Sequence, residues 1–139
     1  MSNDNSSLVI GAKAEVEWIA ERRWCTQRGA YHIFSTPSLV QIAERAAIAV
    51  LAPVLSEDQV SVGSHVGIRH LAPTLEGMKV RAVATVSEID KARIVFQVEI
   101  FDDIEKVGEA THERFVLDLS RYVRRLEKKG AEVAAHGQK

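Results

Sequence analysis

The stretch STPSLVQIAERAAIAVLAP, residues 35–53, decides the fold of this 139-residue chain. Thr36 and Pro37 predict the start of a helix, because a threonine hydroxyl can accept a free backbone N–H and proline is favoured at the first helical position. We expect the helix to end near Leu51, before the next proline. Apolar side chains occupy nearly every side of it, and such a helix is buried on nearly every side. Its long polar side chains are Gln41, Glu44 and Arg45.

Segments with the pattern of strands lie on both sides of this helix. From Ala12 to Trp18 apolar and charged residues alternate, which is the period of a half-buried strand. Residues 21–35 show no period but contain several aromatic side chains, and we expect a packed loop or short helix that covers a site. Four alternating runs with short turns between them predict an antiparallel meander. These runs are residues 61–71, 78–89, 94–101 and 107–117.

The alternation also predicts which side chains face the core. They are Val62, Val66, Ile68 and His70 in the first run, Val80, Ala82, Ala84 and Val86 in the second, and Ile94, Phe96, Val98 and Ile100 in the third. A basic helix follows from Ser120, and we expect the chain past Gly130 to be frayed. An apolar helix and a strongly curved sheet can bury one another if the sheet wraps the helix. The sequence therefore predicts an α+β hot-dog fold, a curved antiparallel sheet wrapped around one long apolar helix, plus a C-terminal helix.

Composition limits the class of protein. Hydrophobic residues make up 46% of the chain and charged residues 27%, the balance of a globular protein. We expect a disordered tail over residues 1–10, one domain over 11–127 and a polar tail over 128–139. The net charge of -1 argues against a nucleic-acid binder, and one cysteine, Cys25, excludes an internal disulfide and a cysteine zinc cage. The chain shows neither a signal-peptide pattern nor a run of about 18 apolar residues, so we expect a cytoplasmic protein without membrane contact.

Glu44 is the most informative candidate for chemistry. It lies on the apolar helix, where an unpaired carboxylate is costly, so it needs a cation or hydrogen-bond donors nearby. Arg45 is next in sequence but points about 100° away on a helix. Structural pairing and a catalytic role are both open for Glu44. Thr36, besides capping the helix, lies where free N–H groups could hold an oxyanion.

Other polar residues are weaker candidates. His70, on the inward face of its strand, could be structural or catalytic, and His32, His65 and His112 rank below it. None of these histidines has a recognisable metal-ligand spacing with Glu44, so we expect no metal. Cys25 beside Trp24 is expected to pack, with a Cys–His nucleophile pair left open. Gly63 and Gly67 inside a strand indicate a bulge or a close backbone approach.

The spacing on the helix suggests a second copy of the chain. Thr36 and Glu44 lie eight residues apart, about 12 Å along a helix. They cannot touch within one chain. If both serve one reaction centre, a two-fold dimer is the simplest solution, with the helix start of one copy facing the Glu44 of the other.

Three blocks of sequence resemble a known family. They are STPSLVQIAE at 35–44, SVG at 61–63 with RHLAPTLEG at 69–77, and GEATHER at 108–114. In this order and spacing they resemble the fluoroacetyl-CoA thioesterase-like family of hot-dog proteins over roughly residues 11–126. The resemblance implies a homodimeric acyl-CoA thioesterase in which Thr36, Glu44 and His70 are catalytic.

The same resemblance implies further roles. Gly63 matches a glycine close to the acyl group, and Arg114 matches an arginine near the substrate site. Where the fluoroacetyl-specific member has two lid phenylalanines, this chain has Gln27 and Ala30. We therefore expect a different lid and a different short or medium acyl group. The aromatic residues available for the lid and for substrate binding are Trp24, Tyr31 and Phe34.

The expected reaction is hydrolysis of an acyl-CoA to a carboxylic acid and CoA. Glu44 acts as general base or as nucleophile, and His70 and Thr36 assist. No cofactor is expected, since CoA is part of the substrate, and the protein is expected to be a homodimer or a dimer of dimers. Two alternatives stay open, a hydratase acting on enoyl thioesters and an acyl-CoA binding module without catalysis.

Overall fold

The computed structural model describes residues 7–137. Its elements in chain order are β1 (Lys13–Ile19), a 3-10 turn (Arg22–Trp24), β2 (Cys25–Arg28), β3 (Tyr31–Phe34), α1 (Thr36–Leu51), β4 (Gln59–His70), β5 (Lys79–Asp90), β6 (Arg93–Phe101), β7 (Lys106–Asp118) and α2 (Leu119–Gly137).

Five strands form one antiparallel sheet in the order β1-β5-β6-β7-β4. β5, β6 and β7 are the predicted meander. The prediction that β4 opens this meander is wrong, because β4 pairs with β7 at the far edge of the sheet. The segment after β4 does not form a hairpin. It crosses to the other side of the sheet, where Leu75 bridges to Ile33 and Gly77 donates to the carbonyl of Ala20.

The sheet wraps α1, which confirms the α+β hot-dog fold. The predicted inward faces of β5 and β6 are buried, and so are eight residues of α1. Three alanines of that helix, Ala43, Ala46 and Ala47, are fully buried. Because alanine is small, the helix can lie close to the curved sheet, and aliphatic side chains fill most of the core.

Side-chain alternation fails at one position of β4. The pairing with β7 shifts between Gly63 and His65, so Ser64 forms a bulge. Val66 then pairs with His112, on the side of α1, whereas Val62 pairs with Phe115 on the opposite side. The prediction that Val62 shares a face with His70 is therefore wrong.

The segment before α1 is a hairpin. β2 and β3 pair from Cys25 with Phe34 to Arg28 with Tyr31. The expected loop or short helix over residues 21–35 is therefore wrong except at the 3-10 turn Arg22–Trp24. Gly29 at the turn has a φ of +59°, in the region that glycine adopts without strain.

Both chain ends depart from the prediction. Leu8 is buried at 5% exposure, so the expected disordered tail over residues 1–10 is wrong for its last part; residues 1–6 lie outside the described residues. α2 continues to Gly137, past the expected fraying point at Gly130. No helix among residues 7–137 is long and apolar enough to cross a membrane. The cytoplasmic location stays a prediction.

Candidate active site

The hydroxyl of Thr36 contacts the imidazole of His70. Ser35, not Thr36, is the N-cap of α1, and its side chain accepts from the N–H of Ser38. Thr36 is therefore the first residue of the helix, and its Oγ1 lies 2.8 Å from Nδ1 of His70 at the end of β4. The predicted capping role of Thr36 is wrong, and its hydroxyl is available for this contact.

A cavity of about 300 Å³ opens beside this pair. Its lining comes from the β2–β3 hairpin, the first residues of α1 and the end of β4. The lining residues are Thr26, Arg28, Ile33, Phe34, Ser35, Thr36, Pro37 and His70. Pro37 has no N–H, and the N–H groups of Ser38 and Leu39 donate to Ser35, so the start of α1 offers the N–H of Thr36 and the positive end of the helix dipole to a developing negative charge. The cavity can therefore hold a carbonyl group next to a hydroxyl–imidazole pair.

A second cluster lies around the carboxylate of Glu44. Nη1 of Arg114 donates to Oε2 of Glu44 over 3.4 Å. Arg114 also donates from Nε to Oγ of Ser61 and from Nη2 to the Ser61 carbonyl. Burial lowers the pKa of the Arg114 guanidinium and Glu44 opposes this shift; an arginine nevertheless stays charged. Arg114 is thus the cation that a carboxylate on this helix needs, and three contacts hold it in place.

His112 supports the same arginine from inside the protein. Its side chain is fully buried, its Nδ1 lies 2.7 Å from the carbonyl oxygen of His65, and its Nε2 lies 3.2 Å from Nη1 of Arg114. A carbonyl only accepts, so Nδ1 carries the proton and Nε2 accepts from Arg114. Burial lowers the pKa of His112, which agrees with this neutral tautomer. His112 therefore positions Arg114 without adding charge.

Gly63 leaves the space in which the carboxylate of Glu44 lies. A Cβ atom at this position would be 2.7 Å from Oε2 of Glu44 and 3.1 Å from Nη1 of Arg114. Neither distance is compatible with an undisturbed pair. The predicted close approach at Gly63 is confirmed, and the side chain of Glu44 is 38% exposed.

The predicted site residues fall into two groups within one chain. Thr36, His70 and Phe34 border the cavity, whereas Glu44, Gly63 and Arg114 form the cluster on the sheet. Gly63 and His70 are seven residues apart on β4, about 23 Å along a strand.

Trp24 lies in neither group. Its ring stacks on Trp18 at 4.6 Å, and the guanidinium of Arg23 lies over it at 4.4 Å. A substrate-binding role for Trp24 gains no support from this placement. His112 and Ser61 both contact Arg114, although the sequence indicates neither of them as a leading site residue. The alternation of β7, which places His112 and Arg114 on one face, was the available signal for His112.

The described residues also bear on metals and on Cys25. No group of three or more His, Cys, Asp or Glu side chains among residues 7–137 could hold a metal ion. Cys25 is a free thiol that donates to the carbonyl of Glu21, and burial raises the pKa of this thiol. A raised pKa disfavours the nucleophilic thiolate. The absence of a cofactor stays a prediction.

Comparison with known proteins identifies the family. The sequence profile described as "FlK: Fluoroacetyl-CoA-specific thioesterase" matches residues 14–120. The fluoroacetyl-CoA thioesterase of Streptantibioticus cattleyicolor is 29% identical over 90 residues, 65% of this chain. The chain spans 65% of the length of that relative.

Solved structures share the fold. A hypothetical protein of Thermus thermophilus, described as a thioesterase superfamily member, is similar with a TM-score of 0.85 and 23% identity, covering 91% of this chain and 96% of that one. A mutant of the fluoroacetyl-CoA-specific thioesterase FlK in complex with fluoroacetate and CoA has a TM-score of 0.76 and 22% identity. The match covers 83% of this chain and 99% of that one. With most of the chain matched by the profile, from β1 to the start of α2, this protein belongs to the fluoroacetyl-CoA-specific thioesterase family.

Proposed function

We propose that this protein is an acyl-CoA thioesterase that hydrolyses a short or medium acyl-CoA to a carboxylic acid and CoA. The observation that carries the proposal is the carboxylate of Glu44, held by Arg114 at 3.4 Å on a mostly apolar helix. A related thioesterase has been solved with CoA bound, which supports an acyl-CoA as the substrate class. CoA leaves as product, so the reaction needs no separate cofactor.

In the proposed reaction Glu44 activates water, or attacks the thioester carbonyl itself. The new C–O bond forms, the oxyanion collapses, and the C–S bond breaks to release the thiolate of CoA, which takes up a proton. Where Glu44 itself has attacked, water then hydrolyses the resulting anhydride, which releases the carboxylic acid and regenerates the carboxylate of Glu44. The N–H of Thr36 and the positive end of the α1 dipole would stabilise the oxyanion. The Thr36–His70 pair would orient the carbonyl and carry the proton.

The proposed site needs two copies of the chain. β4 is an edge strand that pairs only with β7 among the described residues. A long edge strand is a natural place for a second copy to pair. A two-fold axis at Gly67 would pair Gly67 with its copy, Val66 with Ile68 and His65 with Arg69, so that paired residues face the same side. Because Ser64 is bulged, the next pair would be Gly63 of one copy and His70 of the other, next to Glu44. A dimer of such dimers stays an expectation.

Release of free thiol from a panel of acyl-CoAs tests the activity. Glu44→Gln should lose about 10²–10⁴-fold in kcat, the contribution of a general base. Arg45→Gln is the matched control, because Arg45 is the exposed neighbour on the same helix. A Glu44→Gln variant that keeps most of the activity would refute this role.

The same assay separates the two alternatives. A hydratase would change the absorbance of an enoyl-CoA without releasing thiol. A binding module would bind acyl-CoA and leave it intact over the whole panel. Either result, obtained with folded protein, contradicts the thioesterase proposal.

A further inference from the structure

The β2–β3 hairpin presents a single cation to the cavity beside Thr36 and His70. Thr26 and Arg28 alternate on β2, so they share a face, and both line the cavity together with Ile33 of β3. The tight turn after Arg28, at Gly29, fixes the pairing of Arg28 with Tyr31. The backbone of Arg28 is therefore set by the hairpin and not by a free loop, and its exposed side chain lies at the cavity.

The cavity contains no group that neutralises Arg28. None of its lining residues is acidic. The guanidinium of Arg28 donates from Nη1 to the carbonyl of Gln27 over 2.9 Å, and no carboxylate among residues 7–137 lies within ion-pair distance of it. Arg22 and Arg114, in contrast, each pair with a glutamate. With the start of α1 also positive, the cavity is suited to an anion.

We propose that Arg28 binds a carboxylate at the far end of the acyl group, so that the preferred substrate is a short acyl-CoA ending in a carboxylate. This inference rests on the proposed thioesterase function. The thioester carbon has to lie near Thr36 and His70, and Arg28 lines the same cavity of about 300 Å³, so the end of a short acyl group can reach it. The phosphates of CoA are separated from the thioester by the whole pantetheine arm and lie much further from that carbon. A planar guanidinium matches a carboxylate in two parallel hydrogen bonds.

Two pairs of substrates matched in chain length test the proposal. They are malonyl-CoA with propionyl-CoA, and glutaryl-CoA with pentanoyl-CoA. In each pair the first acyl group ends in a carboxylate and the second ends in a methyl group. The enzymes are the wild type, Arg28→Gln, Arg28→Lys and a control, Arg69→Gln. Arg69 carries the same charge and precedes His70, but on a strand it points to the opposite face.

We expect the wild type to prefer the acidic member of at least one pair. Arg28→Gln should lower kcat/KM for that substrate about 10- to 100-fold, the worth of a charged hydrogen-bonded pair, and should leave its uncharged partner within about threefold. Arg28→Lys should restore part of the loss, and Arg69→Gln should keep the wild-type ratio. A wild-type preference for the uncharged members overturns the proposal, and so does an equal loss on both members in Arg28→Gln, which would assign Arg28 to the CoA part. If uncharged acyl-CoAs are not hydrolysed either, the thioesterase function itself is refuted.

Discussion

Mixing two inactive variants tests whether each active site is shared between two chains. The variants are Thr36→Ala and Glu44→Gln. Within one chain Thr36 contacts His70 at 2.8 Å, whereas Glu44 lies about 12 Å away along α1. If the site combines Thr36 and His70 of one copy with Glu44 of the other, a mixed dimer has one site with both changes and one site with neither.

The expected size of the recovery follows from this arrangement. Random pairing of equal amounts gives mixed dimers for half of the molecules, and half of their sites are intact, so about a quarter of the wild-type activity should return. Each variant alone should be less active than the wild type, and for Glu44→Gln the activity should be lower by about 10²-fold or more. The assay is release of free thiol after the two purified variants are unfolded together and refolded, beside each variant treated alone.

The control mixture is Thr36→Ala with His70→Ala. Both residues belong to the same half-site in one chain, so every site of the mixed dimer keeps a defect and no activity should return. The shared site is refuted if the first mixture shows only the mean of its two components. Recovery in the control mixture would equally refute it, because Thr36 and His70 would then act from different chains.

Three further predictions address single groups. Gly63→Ala should lower kcat on the order of 100-fold, because its Cβ would lie 2.7 Å from Oε2 of Glu44, while circular dichroism should report an unchanged fold. Ser35→Ala should lower the free energy of unfolding in urea by about 1 kcal/mol, and Thr36→Ala by less than about 0.5, since Ser35 is the N-cap; the reverse order would contradict the capping assignment. Burial holds the pKa of His112 below its usual 6.5, so the unfolded chain takes up this proton first and stability should fall as the pH drops from about 6.5 to 5. His112→Gln should flatten that slope, and an unchanged slope would contradict the neutral tautomer.

The elements that the sequence predicted correctly are those whose pattern repeats over many residues. α1 and the strands β5 and β6 each bury one long periodic set of side chains, and this requires only local information. The β2–β3 hairpin escaped prediction because its strands have four residues each, too few for a period. The pairing of β4 with β7 escaped for a different reason. Strand order depends on contacts about 50 residues apart, which no local pattern records.

The two roles at the start of α1 could not be separated from the sequence. Ser35 and Thr36 are both good N-caps, and either can precede Pro37 near the helix start. What distinguishes them is His70, which lies 34 residues further along the chain and contacts the hydroxyl of Thr36. The partner of Glu44 is similarly remote, because Arg114 lies 70 residues further along the chain. The residue types were visible in the sequence, whereas their partners depend on the fold.

The bulge at Ser64 explains how one strand can serve both half-sites. Gly63 and His70 lie seven positions apart, an odd number, so in a regular strand they would face opposite sides of the sheet. The extra residue restores a common face: Gly63 pairs with Arg114 and His70 pairs with Gly108, both on the side of α1. Without the bulge, either the space left by Gly63 or the imidazole of His70 would lie on the face of the sheet away from the helix that carries Thr36 and Glu44. The irregularity of β4 is thus a condition for the proposed site, and Ser64 fixes it by donating to the carbonyl and the carboxylate of Glu113.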